Sequence, residues 1–569
     1  MERRLLLVFA LTFLVILLFQ PLLKKYLPTS PPPEKATQTQ AQPQAAPPST
    51  PVPTVQAQLP AQPAGVTKQA SSEAETVIEN ALYRITFTNR GGQVKSWILK
   101  KFDDDAGKPL ELVNQAASAK YGYPLSVWTY DETLRNKLNS ALYVPSSEGR
   151  QSAPAEITFE YSDADVSVHK TFRFDHTYVV QVEVSVVSKG GEVTALPMWP
   201  AGFGDETSPS SYAATVVTYQ SGSNVERVAL KKVSGGATVP GPFNWAGLSD
   251  QYFAAVFLPE DAQAAAMVTL HNAVDIPKDP QKPQDTVRVD VLGAAVGNLH
   301  GATVERMFVG PKVLSTLESV HVAGMPSNVE PDLRQLVDFG WLGVIARPLF
   351  AWLRWTYEKM VGNWGWAIAI QTLIINLALM PLRISSMKSA LKMQRIQPQM
   401  NAIKEKYKKY SLRDPRRQEM NTEIGALMKQ EGVSPVGGCL PLLIQMPFLF
   451  AYYRMLGVAI DLRHAHWLWI RDLSSADPWH ILPIAIIITM LFTQRMTPQA
   501  GMDPSQQKMM NTLMPVMLGI ISWNLAAGLC LYWSEGNLIA IVQQAVMNRT
   551  KLGREMREMM LKRAKKKEK

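Results

Sequence analysis

Trp366 to Leu382 read WAIAIQTLIINLALMPL, and the reading of this stretch decides the fold. It carries no charged residue, and together with Gly362 to Gly365 it would form a helix about 30 Å long, the thickness of a bilayer's hydrocarbon core. It is therefore expected to span a membrane. Near its middle lie Gln371, Thr372 and Asn376. A polar group left unpaired in hydrocarbon costs several kcal/mol, so these side chains require protein partners, a wet cavity or a transient guest. Thr372 and Asn376, four apart, share a helix face, with Gln371 on its flank.

The 569-residue chain is 46% hydrophobic and 19% charged, and its mean hydropathy of -0.05 is that of a soluble protein. The average conceals a division: apolar residues crowd the amino-terminal end and roughly the last 220 positions, while the middle has a globular composition. Leu5 to Phe19, after Met-Glu-Arg-Arg, reads as an uncleaved signal anchor because no small-residue cleavage site follows Gln20. Further spans are expected over Gly362–Leu382, Gly438–Ile460, His480–Gln494, the conspicuously short Asn511–Asn524, and Gly528–Met547. Basic residues set the orientation. Lys and Arg number 12 against 5 acids between Arg383 and Val436, and 10 against 3 after Met547. Both segments, and the amino terminus, are expected in the cytoplasm, with the region between the first two spans outside. The net charge of +10 then faces inward, toward anionic lipids or ribosomal RNA. Cys439 and Cys530 both lie in apolar stretches, which excludes a disulfide framework.

Between the spans, Pro28 to Gln69 is rich in Pro, Gln, Ala and Thr and cannot build a core. ALYRITFTNRGGQVKSWILKKF then alternates apolar and polar residues around Arg90-Gly91-Gly92, and VSVHKTFRFDHTYVVQVEVSVV repeats the alternation. Both predict antiparallel strands, continuing to about Val322. The expected divisions are a signal anchor (1–22), a disordered linker (23–72), a β domain (73–328), an amphipathic, Trp-rich interfacial helix (329–361), a five-helix core (362–547) and a basic tail (548–569). The core includes a cytoplasmic helical hairpin (383–434). Its first helix has a seam of Met393, Ile396, Met400, Ile403, Tyr407 and Tyr410, and Asp414-Pro415 predicts the start of the second. That seam either closes the hairpin or offers an adaptable methionine surface to a partner.

SPVGGCLPLLIQMPFLFAYYRML, Ser434 to Leu456, carries Gly437-Gly438-Cys439, Pro441, Gln445 and Pro447 behind the basic hairpin. With VGNWGWAIAI, AGLCLYW, Asn537 and TVIENALYRITFTNRGGQVKSWILK, it resembles the YidC family of membrane protein insertases, in the Gram-negative form with a large periplasmic domain. The resemblance implies a multi-pass α-helical membrane protein of six transmembrane helices with an all-β supersandwich outside, residing in the bacterial inner membrane. It implies insertion and folding of inner-membrane proteins, alone or with the Sec translocon, through a hydrophilic groove open to cytoplasm and lipid. The implied partners are nascent membrane proteins, Sec components, ribosomes and anionic lipids. No cofactor, small-molecule substrate or enzyme activity is implied, and no P-loop is present in the sequence.

Gln371, Thr372, Asn376 and Gln445 are expected to line the groove, with Tyr532 and Trp533 beside them and Arg383 at its mouth; interhelical hydrogen bonding is the alternative for the polar groups. Family members usually carry an arginine where Asn376 aligns, and this chain does not. Glu535 also departs from the more apolar pattern of relatives. Its depth matches that of Arg454, so an ion pair closing the outer end is expected in preference to a proton relay. His464 and His466 lack a third metal ligand in the sequence and read as an interfacial loop. A solute transporter, the rival function, would show internal repeats that the sequence lacks.

Overall fold

The structure, a computed structural model, describes residues 67–278, 284–320, 333–410, 414–432, 440–496, 509–551, 553–555 and 558. The expected signal anchor, nearly all of the linker, Gly437-Gly438-Cys439 and the end of the basic tail lie outside the described residues. The chain divides into two units at Leu336/Val337.

Alternation in the first unit becomes three sheets of five, ten and five strands. In one, β1 (Glu75–Glu79), β2 (Tyr83–Thr88) and β3 (Gln93–Asp103) are antiparallel neighbours. β2 buries Tyr83, Ile85 and Phe87 on one side only, as period-two spacing requires. The turn into β3 needs left-handed backbone at Gly91 and Gly92, with φ of 68° and 54°, which only glycine adopts without strain. In the ten-stranded sheet β4 (Val166–Phe174) pairs with β5 (Val179–Ser188). The long hairpin of β6 (Ala265–Pro277) and β7 (Thr286–Asn298) belongs to the remaining sheet, and β8 (Thr303–Pro311) returns beside β5. The strands are not wholly antiparallel as the sequence suggested: β1 also pairs in parallel with Gly149–Ser152.

Lys170, on β4, is fully buried without a carboxylate partner among the described residues. Its Nζ donates to the carbonyls of Gly91 (2.8 Å), Gly92 (2.7 Å) and Leu125 (2.6 Å), pinning the β2–β3 turn to a neighbouring loop. Burial pulls its pKa down to about 7.

The second unit is helical: α1 (Gly343–Thr356), α2 (Trp364–Ala378), α3 (Met380–Lys406), α4 (Arg416–Gln430), α5 (Leu440–Val458), α6 (Ile481–Met496), α7 (Met514–Ile521) and α8 (Ala527–Arg549). Many of its exposed side chains are apolar, among them Leu373 and Leu377 on α2, Ile488 and Phe492 on α6, Ile520 and Ile521 on α7, and Val542 on α8. A water-soluble bundle would place polar residues there. No single described helix is long and apolar enough to cross a membrane by itself; α2 and α3 meet that measure together, bent by 45°. Pro381, in the first turn of α3, explains the bend, since it lacks an N–H and crowds the preceding turn.

Within the expected helix of 329–361, the described residues 333–361 do not form one helix. Leu333–Leu336 is a 3-10 turn of the first unit, and α1 starts only after Gly340, whose φ of 65° interrupts helical geometry. In the hairpin, Met393, Ile396 and Met400 of α3 pack on Ile424, Leu427 and Met428 of α4, so these residues of the seam close the hairpin on itself. Lys406 Nζ and Tyr407 Oη both donate to Glu423, at 2.8 and 2.9 Å. The second helix starts one residue later than Pro415, with Asp414 Oδ1 accepting from the Arg416 N–H at 3.0 Å.

Candidate functional site

The polar residues of α2 meet the other helices from its amino-terminal end inward. Asn363 caps α2, its Oδ1 accepting from the N–H groups of Gly365 (3.0 Å) and Trp366 (3.2 Å), while its Nδ2 donates to His466 O at 3.0 Å. Trp467 packs directly on Gly365, where a Cβ would collide with its ring. Tyr357 stacks on Trp364 at 4.1 Å. This end of α2 is sealed by aromatic rings.

About two turns further, Gln371 is completely buried. Its Nε2 donates to Leu349 O of α1 at 3.0 Å, and its Oε1 accepts from Tyr452 Oη of α5. One carboxamide thereby joins three helices. Tyr452 stacks on Tyr532 of α8 at 4.1 Å and 12°. Thr372, equally buried, donates to Ile368 O of its own helix at 2.7 Å. Gln371 and Thr372 are both satisfied within the protein, as the hydrogen-bonding alternative requires, because a buried amide or hydroxyl without a partner would be costly.

Asn376 is buried as well. Its Nδ2 donates to Thr372 O at 2.9 Å, and its backbone carbonyl accepts from Gln543 Nε2 of α8 at 3.1 Å. Gly536 of α8 faces it in ordinary contact: a Cβ there would sit 3.7 Å from Asn376 Nδ2. Arg383 was expected to supply charge only at the mouth, yet its half-buried guanidinium turns back along α3 and lies 3.5 Å from Asn376 Oδ1. A cation thus stands beside Asn376 although residue 376 is neutral. Gln445 and Trp533 are half-buried, and Asn537 Nδ2 donates to Thr489 Oγ1 of α6 at 3.3 Å.

Among the described residues Arg454 and Glu535 do not form the expected ion pair. Arg454 Nη2 instead binds Asp338 Oδ2 at 2.9 Å and Asp338 O at 3.0 Å, against Gly340. Matching depth along two helices did not determine facing. Sequence reasoning missed Tyr452, Gln543 and Asp338; the tyrosine pair YY ahead of Arg454 and the lone acid ahead of Phe339 were the available signals. Among the described residues no cluster of His, Cys, Asp and Glu could hold a metal ion.

Residues 75–352 match the family model described as the YidC periplasmic domain, and residues 355–554 match that of the 60Kd inner membrane protein. A protein of Geobacter sulfurreducens named membrane protein insertase YidC is 32% identical over 492 residues, covering 82% of this chain and 85% of that one. The chain belongs to the YidC family of membrane protein insertases. A YidC of Syntrophus aciditrophicus is 29% identical, with 96% of this chain and 100% of that one aligned, and a YidC of Geotalea daltonii is 30% identical over 97% and 99%. The family is thus matched across both units, and the transporter reading has no support. The periplasmic match falls on the β unit and α1, and the 60Kd match contains the polar cluster of α2, α3, α5 and α8.

Proposed function

We propose that this protein inserts membrane proteins into a bacterial inner membrane and assists their folding. In this reading it crosses the membrane six times, with both termini in the cytoplasm and the β unit in the periplasm, and the aromatic seal over α2 faces outward. The observation that carries the reading is the polar cluster of Gln371, Asn376, Arg383 and Tyr452 inside a helical unit with an apolar exterior.

Such a cluster can receive a client. The polar flank that must cross finds bare hydrocarbon prohibitive. Asn376, Arg383 and the half-buried Gln445 and Trp533 offer it hydrogen bonds partway across, shortening the dry distance. The apolar part of the client meanwhile enters lipid at about 25 cal/mol per Å² buried, which drives the transfer without a nucleotide. Gln371 and Tyr532 hold the helices that frame this path, and a groove toward cytoplasm and lipid forms when the Asn376–Arg383 contact yields to the client. Anionic lipids and ribosomes would meet the basic hairpin and tail, and Sec components would act alongside.

The test is reconstitution. The purified full chain in lipid vesicles should protect the translocated tail of a single-span client from external protease well above protein-free vesicles. Protection equal to that of protein-free vesicles would overturn the reading.

A further inference from the structure

The hydrogen bonds and ring contacts that hold α8 are made by other residues than Glu535. Tyr532 stacks on Tyr452, Gly536 lies against Asn376, Asn537 bonds Thr489, and Gln543 bonds the Asn376 carbonyl. Glu535 makes no hydrogen bond or ion pair among the described residues, although its carboxylate lies close enough to Tyr452 to act on it electrostatically. Steps of three, four and four residues align Glu535 with Leu538, Val542 and Val546 along one helix face, and those three are 52%, 62% and 52% exposed. It therefore stands at the head of an open apolar stripe.

Its Oε2 is shielded from solvent and has no hydrogen-bond partner among the described residues. Arg454, the cation expected opposite it, is held by Asp338. Arg383 reaches Asn376, which meets the Gly536 and Gln543 face of α8 rather than the stripe. A shielded carboxylate without a counter-charge is unfavourable and is retained where something uses it.

We propose that Glu535 is the anionic element of the client site, selecting segments that carry a lysine or arginine at the edge of their apolar stretch. The inference rests on the insertase reading above. The client's apolar side chains pack on Leu538, Val542 and Val546, and its basic side chain supplies the counter-charge that Oε2 lacks. An acid at the same client position meets like charge, and a neutral amide gains one hydrogen bond without the charge.

The experiment uses the full chain in vesicles and three single-span clients that differ only in Lys, Gln or Asp at the translocated edge of the apolar segment. The readout is the ratio of protease-protected Lys client to Gln client. Glu535→Gln is expected to lower this ratio about tenfold, Glu535→Asp to retain it, and Glu535→Lys to shift preference to the Asp client. Equal loss across the three clients, as a packing or lipid-binding role would give, overturns the proposal, as does an unchanged ratio in Glu535→Gln. Wild-type chain that inserts none of the clients would instead remove the insertase reading, and this inference with it.

Discussion

Two charged residues show how far a single position can be read. Arg454 is legible as a membrane-helix cation in need of a partner, but Asp338, which it binds, is 116 positions away in sequence and no spacing rule points to it. Asp338→Asn and Arg454→Met should couple in a double-mutant cycle by about 1 kcal/mol, a modest value because the pair is partly exposed. Thermal stability of the purified chain checks it, and additive losses would remove the pair. In the β unit, Glu305 on β8 is buried with neither carboxylate oxygen hydrogen-bonded, and burial raises its pKa well above the usual carboxylate value. The folded state therefore keeps the proton while the unfolded state loses it above its own lower pKa. Stability from this group is fully present at acid pH and falls as pH rises toward the raised folded value. Glu305→Gln should flatten that decline, raising the melting temperature at pH 8 by about 3 °C, equivalent to about 1 kcal/mol, with a smaller gain at pH 5.

At the level of elements, period-two alternation located β2 through β5 and three-and-four spacing located the hairpin, because both periods arise from local backbone geometry. Which polar face meets which helix does not. Thr372 bonds its own helix, whereas its neighbour Gln371 bonds two others, and no spacing rule separates them. The cap of α2 yields a prediction: Asn363→Ala loses two accepted N–H bonds and the bond to His466 O, and should cost about 1 to 2 kcal/mol. Gly365→Ala should cost more, since its methyl group meets the Trp467 ring. Fluorescence-monitored melting of the purified variants would measure both, and Gly365→Ala no worse than Asn363→Ala would show that the Trp467 seal gives way easily.

For the whole molecule, the division between a β unit and a helical unit was visible in composition, and the family was visible in its motifs. The β unit contributes none of the polar cluster, which lies entirely beyond Val337. Deleting most of residues 73–322 while keeping the first apolar segment should therefore leave depleted cells able to grow; failure at normal membrane abundance would assign insertion work to the β unit. The central claim is that Asn376 and Arg383 together wet the path of a client's polar tail. Its most direct measurement is protease accessibility of translocated tails in depleted cells carrying Asn376→Leu with Arg383→Leu at wild-type abundance. A client with a long polar tail should remain mostly unprotected, while one with a short neutral tail inserts nearly as in wild type. Equal insertion of both clients would contradict the account.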